Sequence, residues 1–532
     1  MKINLKYIFA GLLTLGLTAS CSDDQLETSP TTAVSGSAIS GSADNAMIAL
    51  NGIYRSMYTA GWSTSANTHQ CFGISAYNLM ADVMGDDMIM DDMGSGWFWF
   101  DAIYNVKARY TSSAWRSYDL WSANYTWIQN ANYVIKNDST MNANDVNMKY
   151  AVGQAYAVRA YGYFMLAQQF ARTYKGHESE PCVPIYTEPT TNKTDGKPRA
   201  TVQEVYSQIT KDINKAVEYL QASEDKTTLA KDKSYLGLYA ALGLKARIAL
   251  TMEDWATAAS AAEQVINSGK YTIQDVKASA FQENTQNFCN TASSENVIWA
   301  ASINSDQAGQ YASFFAHMDE VQAYGQRAHK QITKSLYNSM ASNDTRRCWW
   351  DPKNENNTTD DNGNVTSGYQ QEKFKYSNKT SWLGDYVWMR VEEMYLTAAE
   401  AECMLGNDAK AQELLTTFMK HRQPDYKCTK TGTAMGTLTS DKTGSLREEI
   451  IKQRRIELWG EYGRIYDIRR LKQGFTRTTA NGWPNNPSIL LTGRKATDPE
   501  SYMWVLTIPQ AEFDGNANLD ASKDQNPTGD VK

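Results

Sequence analysis

The chain has 532 residues, of which 11% are aromatic, including 31 Tyr and 15 Trp. This length predicts one large domain or two interleaved subdomains, because a single hydrophobic core stops growing before this size is reached. The formal net charge is -7 and the sequence pI is about 5.5. The chain therefore lacks the basic surface that binds a phosphate backbone, and we expect no nucleic-acid partner.

The first residues have the pattern of a bacterial export signal. Two lysines precede an apolar stretch at 7–18 that is too short to span a bilayer, and the small residues Ala19 and Ser20 precede Cys21. This pattern is typical of a lipobox, in which the cysteine is acylated and the signal is removed. We therefore predict a signal peptide at 1–20, a lipid anchor at Cys21 and no other attachment to a membrane.

Residues 21–43 are rich in Ser, Thr, Gly and Ala, and we expect them to form a lipid-anchored tether. The body of the chain contains six further cysteines, at 71, 182, 289, 348, 403 and 428. They show neither CxxC spacing nor neighbouring histidines, so we expect no metal site and no cofactor. One or two disulfides are compatible with an exported protein, whereas Cys403 lies in an apolar helical stretch and is interpreted as a core residue.

Helical periodicity dominates the body of the chain. Residues 147–170 place small and apolar side chains at spacings of three and four, which predicts a helix with one closely packed face. Residues 201–222 open with Thr201 and Glu204 at the spacing of a capping box and continue as an amphipathic helix. The small residues of the first helix should allow the second helix to pack directly against it.

Two later segments share a plan of helix, tight turn and helix. They are residues 239–269 and 394–422, each with an Ala-rich first helix and a polar turn. Such units resemble tetratricopeptide (TPR) repeats, whose apolar faces are buried only by stacking on neighbours. Because the two segments are far apart in the sequence, the residues between them are interpreted as insertions, and we expect the function to lie there.

A further helical region, residues 446–473, is dense in charges of both signs. Its spacing predicts that Glu448 pairs with Lys452 and that Asp467 pairs with Arg470. We interpret these charges as helix-surface pairs or as a buried polar network, and not as a surface for nucleic acid.

An aromatic stretch, WFWF at 97–100, follows Gly-Ser-Gly at 94–96. The glycines disfavour a helix, and in an extended segment alternate side chains point to opposite faces. Trp97 and Trp99 would then share one face. We expect the two phenylalanines to turn inward and at least one tryptophan to be accessible, because the indole combines a broad ring face with a polar N–H group.

The order of these segments resembles the SusD/RagB family of surface glycan-binding lipoproteins. The resemblance covers nearly the whole of the chain after the expected signal peptide. It rests on DNAMIALNGIYRSMY after the tether, WSANYTWIQNANYVI at 121–135, GQAYAVRAYGYFMLAQQF at 153–170, the two Ala-rich hairpins, RRIELWGEYGRIYDIRR at 454–470, and the closing IPQAEF and QNPTG. The chain departs from the family pattern at Gln453, where an acid is usual, and at Thr528, which interrupts QNPG.

The resemblance implies a mainly α fold, in which a scaffold of four TPR-like helix pairs faces an irregular, loop-rich half that binds the ligand. The helix pairs would lie near 147–222, 235–268, 390–421 and 446–473. The SusD-like domain would span 44–532, with the scaffold at about 147–270 and 390–473 and the ligand-surface insertions at about 60–120 and 271–389.

The resemblance also implies a function. Family members bind oligosaccharide at the outer-membrane surface without catalysis and pass it to a SusC-like TonB-dependent transporter. We therefore expect a lipid-anchored, cell-surface protein of the outer membrane with two partners, a glycan and this transporter, and with no catalytic residue and no metal.

In the family, the ring nearest the position of Trp97 lies in an arc of aromatic side chains that includes rings from the later insertion. Ring faces stack on the C–H groups of a pyranose, while polar side chains bind its hydroxyls. The candidate ligand-binding residues are Trp97, Trp99, Tyr311, Phe314 and Tyr324. Weaker candidates are Trp349, Trp350 and Trp382. For each ring, packing in the core is the competing interpretation.

Two other functions are compatible with the sequence. One is a TPR-type surface lipoprotein that binds peptide or protein, and the other is a glycoside hydrolase with two carboxylates at the required separation. The sequence contains no GxSxG, HExxH, Walker or dinucleotide motif, and its five histidines are interpreted as scattered. The acid pairs Asp86-Asp87 and Asp91-Asp92 are interpreted as solvated acids in preference to a cation site.

Overall fold

The structure is a computed structural model of the chain, and it describes residues 41–60, 67–90, 97–105, 114–276, 292–319, 324–353 and 368–528. The expected signal peptide, the anchor at Cys21 and most of the tether lie outside the described residues. Asp91, Asp92 and Cys289 lie outside them as well. The interpretations of these positions stay predictions.

Helices make up most of the regular structure of the described residues, so the mainly α fold class is confirmed. Their bounds are α1 Ala43–Ser56, α2 Ile74–Val83, α3 Trp99–Ala102, α4 Trp115–Ile135, α5 Val146–Phe170, α6 Val202–Ser223, α7 Leu238–Met252, α8 Trp255–Ile266, α9 Phe314–Met318, α10 Lys334–Asn338, α11 Val391–Met404, α12 Asp408–Met419, α13 Leu446–Glu457, α14 Arg464–Arg470, α15 Gln510–Gly515 and α16 Ala521–Asp524. Among these described helices, none combines the length and the apolarity that crossing a bilayer requires. The likeness of individual helix pairs to TPR units stays a prediction.

Two small antiparallel sheets accompany the helices in the described part of the chain. Their strands are β1 Met88–Met90, β2 Val297–Ala301, β3 Lys330–Ile332, β4 Trp350–Asp351, β5 Gln370–Gln371 and β6 Tyr386–Arg390. The first sheet has the order β1-β3-β5-β4, with Met88 opposite Ile332. The second pairs β2 with β6, with Val297 opposite Arg390. The first sheet joins the two regions that the sequence marked as insertions, because β1 comes from one and the other three strands come from the other.

Helix α5 is the centre of the scaffold and is buried along most of its length. Helices α4 and α6 pack against it. Gly162 approaches Ile128 of α4, and Gly153 approaches Leu220 of α6, so closely that a Cβ atom added at these glycines would lie 2.8 and 3.0 Å from the respective side chains. The capping box of α6 is formed at its first turn. The expected close packing of these helices is confirmed.

The two Ala-rich hairpins, α7–α8 and α11–α12, are neighbours in space although a long insertion separates them in the sequence. Helix α7 packs against α6, and α8 packs against α11. The first helix of each hairpin ends in a left-handed residue, Glu253 at φ 60° or Gly406 at φ 81°. Helix α13 then packs against α11 and α12. The packed series of helices therefore runs through α4, α5, α6, α7, α8, α11, α12 and α13.

A buried ion network at α13 connects this scaffold to the insertions. The carboxylate of Glu457 lies 2.8 Å from Arg422, 3.0 Å from Arg390 and 3.3 Å from Arg346. Burial opposes the ionisation of this carboxyl, but Arg422 and Arg390 outweigh that effect and hold the pKa of Glu457 well below its ordinary value. The dense charges of this region thus form a buried network, which is one of the two interpretations of the sequence.

Of the two charge pairs predicted in this region, one is present. Asp467 and Arg470 lie 2.7 Å apart. The pairing predicted for Lys452 is wrong, because its amine lies 2.9 Å from Glu449. Glu448 instead accepts backbone N–H groups of the turn that precedes α13, as a residue of the first helical turn often does.

Asp86 and Asp87 are not solvated acids, contrary to the expectation. Both are buried, and Arg464 lies 2.9 Å from Asp86 while Arg455 lies 2.6 Å from Asp87. Burial raises the pKa of Asp86, but the two guanidinium groups outweigh burial and the resulting pKa is lowered. Buried carboxylates require such partners, since an unpaired buried charge is costly. The two acids therefore attach the turn before β1 to α13 and α14.

No disulfide joins any two of the described cysteines. They are Cys71, Cys182, Cys348, Cys403 and Cys428. Cys403 is fully buried, which confirms its interpretation as a core residue.

Candidate functional site

The aromatic stretch at 97–100 begins with a left-handed turn. Trp97 has φ 48° and Phe98 has φ 71°, which are uncommon conformations for residues other than glycine. Helix α3 then starts at Trp99. The prediction of an extended segment is wrong, because the side chain of Gln70 accepts the backbone N–H of Phe98 at 2.7 Å and fixes the turn.

The turn separates the two tryptophans that an extended segment would place on one face. Successive residues of an α-helical turn point about 100° apart and do not alternate between two faces. Trp97 is half-buried, whereas Trp99 is 4% exposed and belongs to the core. The assignment of Trp99 to the ligand surface is therefore wrong. Phe98 is fully buried, as expected for an inward phenylalanine.

Arg116 of α4 holds this turn in place. Its Nε and Nη2 groups donate to the two carboxylate oxygens of Asp101 at 3.0 and 2.9 Å, and Nη1 donates to the backbone oxygen of Gln70 at 2.8 Å. The guanidinium carbon lies 5.1 Å from the centre of the Phe98 ring. One buried side chain thus ties the turn at 97–102 to the 3-10 turn at 68–70, and both turns carry rings of the site.

Three of the five candidate residues come together. Trp97 lies face to face with Tyr324, with ring centroids 3.5 Å apart and planes 23° apart. Tyr311 lies 5.3 Å from Tyr324, and His69 lies 5.9 Å from Tyr311 in a stacked orientation. We call Trp97, Tyr311, Tyr324 and His69 the aromatic shelf.

The rings of the aromatic shelf differ in exposure. Tyr311 is 43% exposed, more than almost any other large apolar side chain of the described residues. His69 is exposed and Trp97 is half-buried. Tyr324 is 9% exposed, because Trp97 covers one face of its ring. The accessible ring surface therefore comes mainly from Tyr311, and Tyr324 is the ring that supports the others.

Two histidines, His69 and His317, hold the shelf together, and no sequence motif predicted their role. The hydroxyl of Tyr324 lies 2.5 Å from Nδ1 of His69, and burial raises the pKa of this phenol, so it stays protonated and able to donate. Nε2 of His317 donates to the backbone oxygen of His69 at 2.7 Å, and its ring lies 5.1 Å from that of Tyr324. Burial lowers the pKa of His317 well below its ordinary value, so its imidazole is neutral. The interpretation of the histidines as scattered is wrong for this pair.

Phe314 lies in the core beside the shelf and not on it. It is 7% exposed and packs edge-on against Phe374 at 5.0 Å and Phe315 at 5.4 Å. Its assignment to the ligand surface is wrong, because Phe314 begins the short helix α9 and it is His317, three residues later, that this helix places against Tyr324.

The weaker candidates also divide into buried rings and a half-buried ring. Trp349 and Trp350 are buried, and Trp350 packs edge-on against Trp459 at 5.7 Å. Trp382 is half-buried and packs edge-on against Tyr376 at 5.4 Å. Burial thus excludes Trp349 and Trp350 from a ligand surface.

Polar groups border the exposed ring of Tyr311. The amide of Gln310, which is exposed, donates to the Tyr311 hydroxyl at 3.2 Å. Arg327 is exposed and lies near enough to Tyr324 to act on its pKa. The described residues contain no group of three or more His, Cys, Asp or Glu side chains arranged to hold a metal ion. The site therefore combines ring faces with hydrogen-bonding groups, which is a chemistry for binding.

Comparison with known proteins identifies the class of this fold. Residues 69–250 match the model of the SusD-like_3 family, described as starch-binding proteins associating with the outer membrane. The SusD-like protein P2 of Formosa agariphila is 24% identical over 428 residues, which cover 75% of this chain and 78% of that protein.

Solved structures agree with this match. A SusD-like carbohydrate binding protein from Bacteroides vulgatus has a TM-score of 0.72 at 24% identity, with coverage of 92% of this chain and 99% of that one. Surface glycan-binding protein A from Bacteroides thetaiotaomicron, in complex with laminarihexaose, has a TM-score of 0.64 at 18% identity, with coverage of 91% and 99%. The chain is therefore similar to SusD-like proteins over residues 69–250 and shares the fold of the solved SusD-like structures over about nine-tenths of its length.

Proposed function

We propose that this chain is a non-catalytic, cell-surface glycan-binding lipoprotein, which captures oligosaccharide or polysaccharide on the aromatic shelf. The observation that carries the proposal is the convergence of Trp97, Tyr311 and Tyr324, from two distant parts of the sequence, into one ring cluster with Tyr311 exposed. A core has no need of an exposed ring bordered by hydrogen-bonding groups. Relatives named for carbohydrate or glycan binding support the same assignment.

The chemistry of the shelf suits a sugar. A pyranose presents C–H groups on its faces, and these stack on the electron-rich face of an aromatic ring. Its equatorial hydroxyls require donors and acceptors at the edge of the ring, which the amide of Gln310 supplies at Tyr311, while the exposed Arg327 lies near Tyr324. Each contact between a ring and a sugar is weak, so selectivity comes from the match of several rings to the curvature of one glycan chain.

The rings are held in place before a ligand arrives. Tyr324 is fixed through its hydroxyl by His69 and through one face by Trp97. Arg116 fixes the turn that carries Trp97. A preorganised site loses less conformational entropy on binding, and this favours the capture of a ligand through a few ring contacts.

The partner in this proposal is a SusC-like TonB-dependent transporter, to which the chain delivers the captured glycan at the outer membrane. The description of the matched family, starch-binding proteins associating with the outer membrane, supports this location. Attachment would be through the lipid at Cys21. Co-purification of the tagged lipoprotein from outer membranes is expected to bring a TonB-dependent transporter with it, and its absence under mild detergent would contradict this step.

Native affinity electrophoresis on a panel of polysaccharides tests the binding function. Retardation of the protein without release of reducing sugar is the expected result. Release of reducing sugar from the retarding polymer would instead support a glycoside hydrolase. Unchanged mobility in every polysaccharide would favour the peptide- or protein-binding alternative.

A further inference from the structure

A second aromatic cleft lies away from the shelf, between α4 and α15. Its volume is about 460 Å³, within the roughly 300–1,000 Å³ that small-molecule sites occupy. Three separate segments line it: the outer face of α4, the loop at 186–196 and residues 509–516. The rings in its lining are Tyr118, Trp121, Tyr125 and Tyr186. We call it the α4 cleft.

The rings of the α4 cleft are inclined to one another and do not form one flat surface. Trp121 and Tyr125 lie 5.0 Å apart with planes at 48°, and Tyr125 and Tyr186 lie 6.1 Å apart with planes at 75°. Tyr118, Tyr125 and Tyr186 are half-buried and not sealed in the core. The arrangement is a concave aromatic wall, partly open to solvent.

Three of these rings, Trp121, Tyr125 and Tyr186, are held at their polar ends. The indole N–H of Trp121 donates to the Glu512 carboxylate at 3.2 Å, and the Tyr125 hydroxyl donates to a backbone carbonyl of the facing loop at 2.7 Å. The Tyr186 hydroxyl accepts a backbone N–H of the same loop at 3.0 Å. Gln129 clamps this loop to α4 by hydrogen bonds to Thr190 at 2.7 and 2.8 Å. The cleft is therefore preorganised, with ring orientations set by the protein alone.

The remaining lining indicates the chemical class of ligand. Ser122, Thr126, Gln129 and four residues of the loop at 190–196 place hydroxyl, amide or backbone groups around the rings. Among the described lining residues, Glu512 alone carries a charge, and Lys197 lies beside the cleft with its amine 5.4 Å from the centre of the Tyr186 ring, so the nearby charges include one of each sign. Ring faces bordered by hydroxyls and amides, with a single acceptor carboxylate, match a neutral carbohydrate.

We propose that the α4 cleft is a second carbohydrate-binding site, which takes a segment of neutral glycan independently of the aromatic shelf. The two sites share a rigid support, because Arg116 at the start of α4 holds the shelf turn and Tyr125 lies nine residues further along the same helix. That separation corresponds to about 14 Å along the helix axis. Two weak sites at a fixed spacing hold a long chain more firmly than either site alone.

A pair of substitutions on one helix tests this site. Thr126 is exposed and lines the cleft, so Thr126→Arg places a long side chain in it without removing a packed ring. Asn130 is exposed one turn further along α4 and lies outside the lining, so Asn130→Arg is the matched control. Ser122→Arg, at another lining position, repeats the test if Thr126→Arg fails to fold by circular dichroism.

The substitutions are made in a Tyr311→Ala background, and binding of laminarihexaose, maltohexaose and cellohexaose is measured by isothermal titration calorimetry. We expect residual binding in Tyr311→Ala that Thr126→Arg weakens at least tenfold and Asn130→Arg leaves unchanged.

Equal residual binding in the Thr126→Arg and Asn130→Arg proteins would overturn the proposal. So would complete loss of binding of all three probes in Tyr311→Ala alone, a result that would leave the shelf as the sole site. A Tyr311→Ala protein that binds as tightly as the native chain would count against the shelf and not against the cleft.

Discussion

The hydroxyl of Tyr324 lies 2.5 Å from Nδ1 of His69, so a direct hydrogen bond joins the segment that carries Tyr324 to the 3-10 turn at 68–70. Tyr324 is also covered on one face by Trp97. A ring that is hydrogen-bonded at its hydroxyl and covered on one face has little surface left for a ligand. The role of Tyr324 is therefore to position Trp97 and Tyr311. The three sequence candidates that meet on the shelf therefore divide into a supporting ring, Tyr324, and two rings with accessible surface, Trp97 and Tyr311.

Tyr311→Ala should weaken glycan binding by about 1–3 kcal/mol, the cost of truncating an important contact residue. Because 43% of this side chain is exposed, the melting temperature should change little. Isothermal titration calorimetry and thermal unfolding measure the two effects. Tyr311→Phe is the matched control, since it keeps the ring face and removes only the hydroxyl that bonds Gln310. A full loss of affinity in the phenylalanine variant would show that the hydroxyl, and not the ring, carries the contact.

Trp97→Ala and Trp99→Ala should affect different properties although only Phe98 separates the two residues in the chain. Trp99 is buried, so its truncation should cost about 3–5 kcal/mol of unfolding free energy, measured by urea denaturation. Trp97 is half-buried on the shelf, so its truncation should reduce glycan affinity by about 1–3 kcal/mol with a smaller loss of stability. Normal binding by a strongly destabilised Trp97→Ala protein would place this ring in the core.

The helical scaffold could be predicted from the sequence because the patterns that indicate it are local. The capping box at Thr201 and the small residues Gly153 and Gly162 lie within single helices, and the structure agrees with each. Contacts between distant segments gave no such signal. The packing of α8 on α11 and the pairing of Asp86 with Arg464 depend on the whole fold.

The candidate site could be predicted from the sequence only in part, because several of its contacts join distant segments. The sequence identified the ring-bearing segments correctly, but an alternation of faces was assumed at 97–100, and the left-handed turn fixed by Gln70 replaces it. That turn sends Trp99 inward. His69 and His317 were missed because an isolated histidine has no periodic neighbours, and only tertiary structure brings it against Tyr324.

Gly162→Ala should lower stability even though alanine is the better helix former. The added Cβ would lie 2.8 Å from the Ile128 side chain, and overpacking of this kind costs about 1–3 kcal/mol. Gly52 in α1 is the matched control, since a Cβ there meets nothing within 4 Å. Gly52→Ala should raise stability by about 0.5–1 kcal/mol through helix propensity. Thermal unfolding that shows the same sign for both variants would contradict the close approach of α4 and α5.

Stability should fall as the pH is lowered from about 4.5 towards 2, in part because of Glu449. Burial raises the pKa of this carboxyl, but Lys452, Lys430 and Gln453 outweigh burial and lower the pKa to about 2. A carboxyl with a depressed folded-state pKa stabilises the fold above its unfolded-state pKa, and this contribution is lost on protonation at lower pH. The stability difference between the native chain and Glu449→Gln should therefore be largest above pH 4.5 and shrink towards pH 2. A difference that is constant with pH in urea titrations would contradict the assignment.

Glu457→Gln should be among the most destabilising single substitutions of a charged residue in this chain. The carboxylate lies within 3.3 Å of Arg346, Arg390 and Arg422, all buried, and glutamine would leave these guanidinium groups with one negative charge fewer. Breaking a buried charge network from one side costs about 3–5 kcal/mol, because the remaining charges stay desolvated. Glu218→Gln is the control, since this exposed carboxylate pairs with Lys215 at 3.2 Å and such surface pairs contribute about 0–1 kcal/mol. Urea denaturation compares the two variants.

Because the network joins α13 to residues of the later insertion, Glu457→Gln should also loosen the insertion and weaken glycan binding. Unchanged binding at equal folded fraction would show that the shelf is positioned without the Glu457 network.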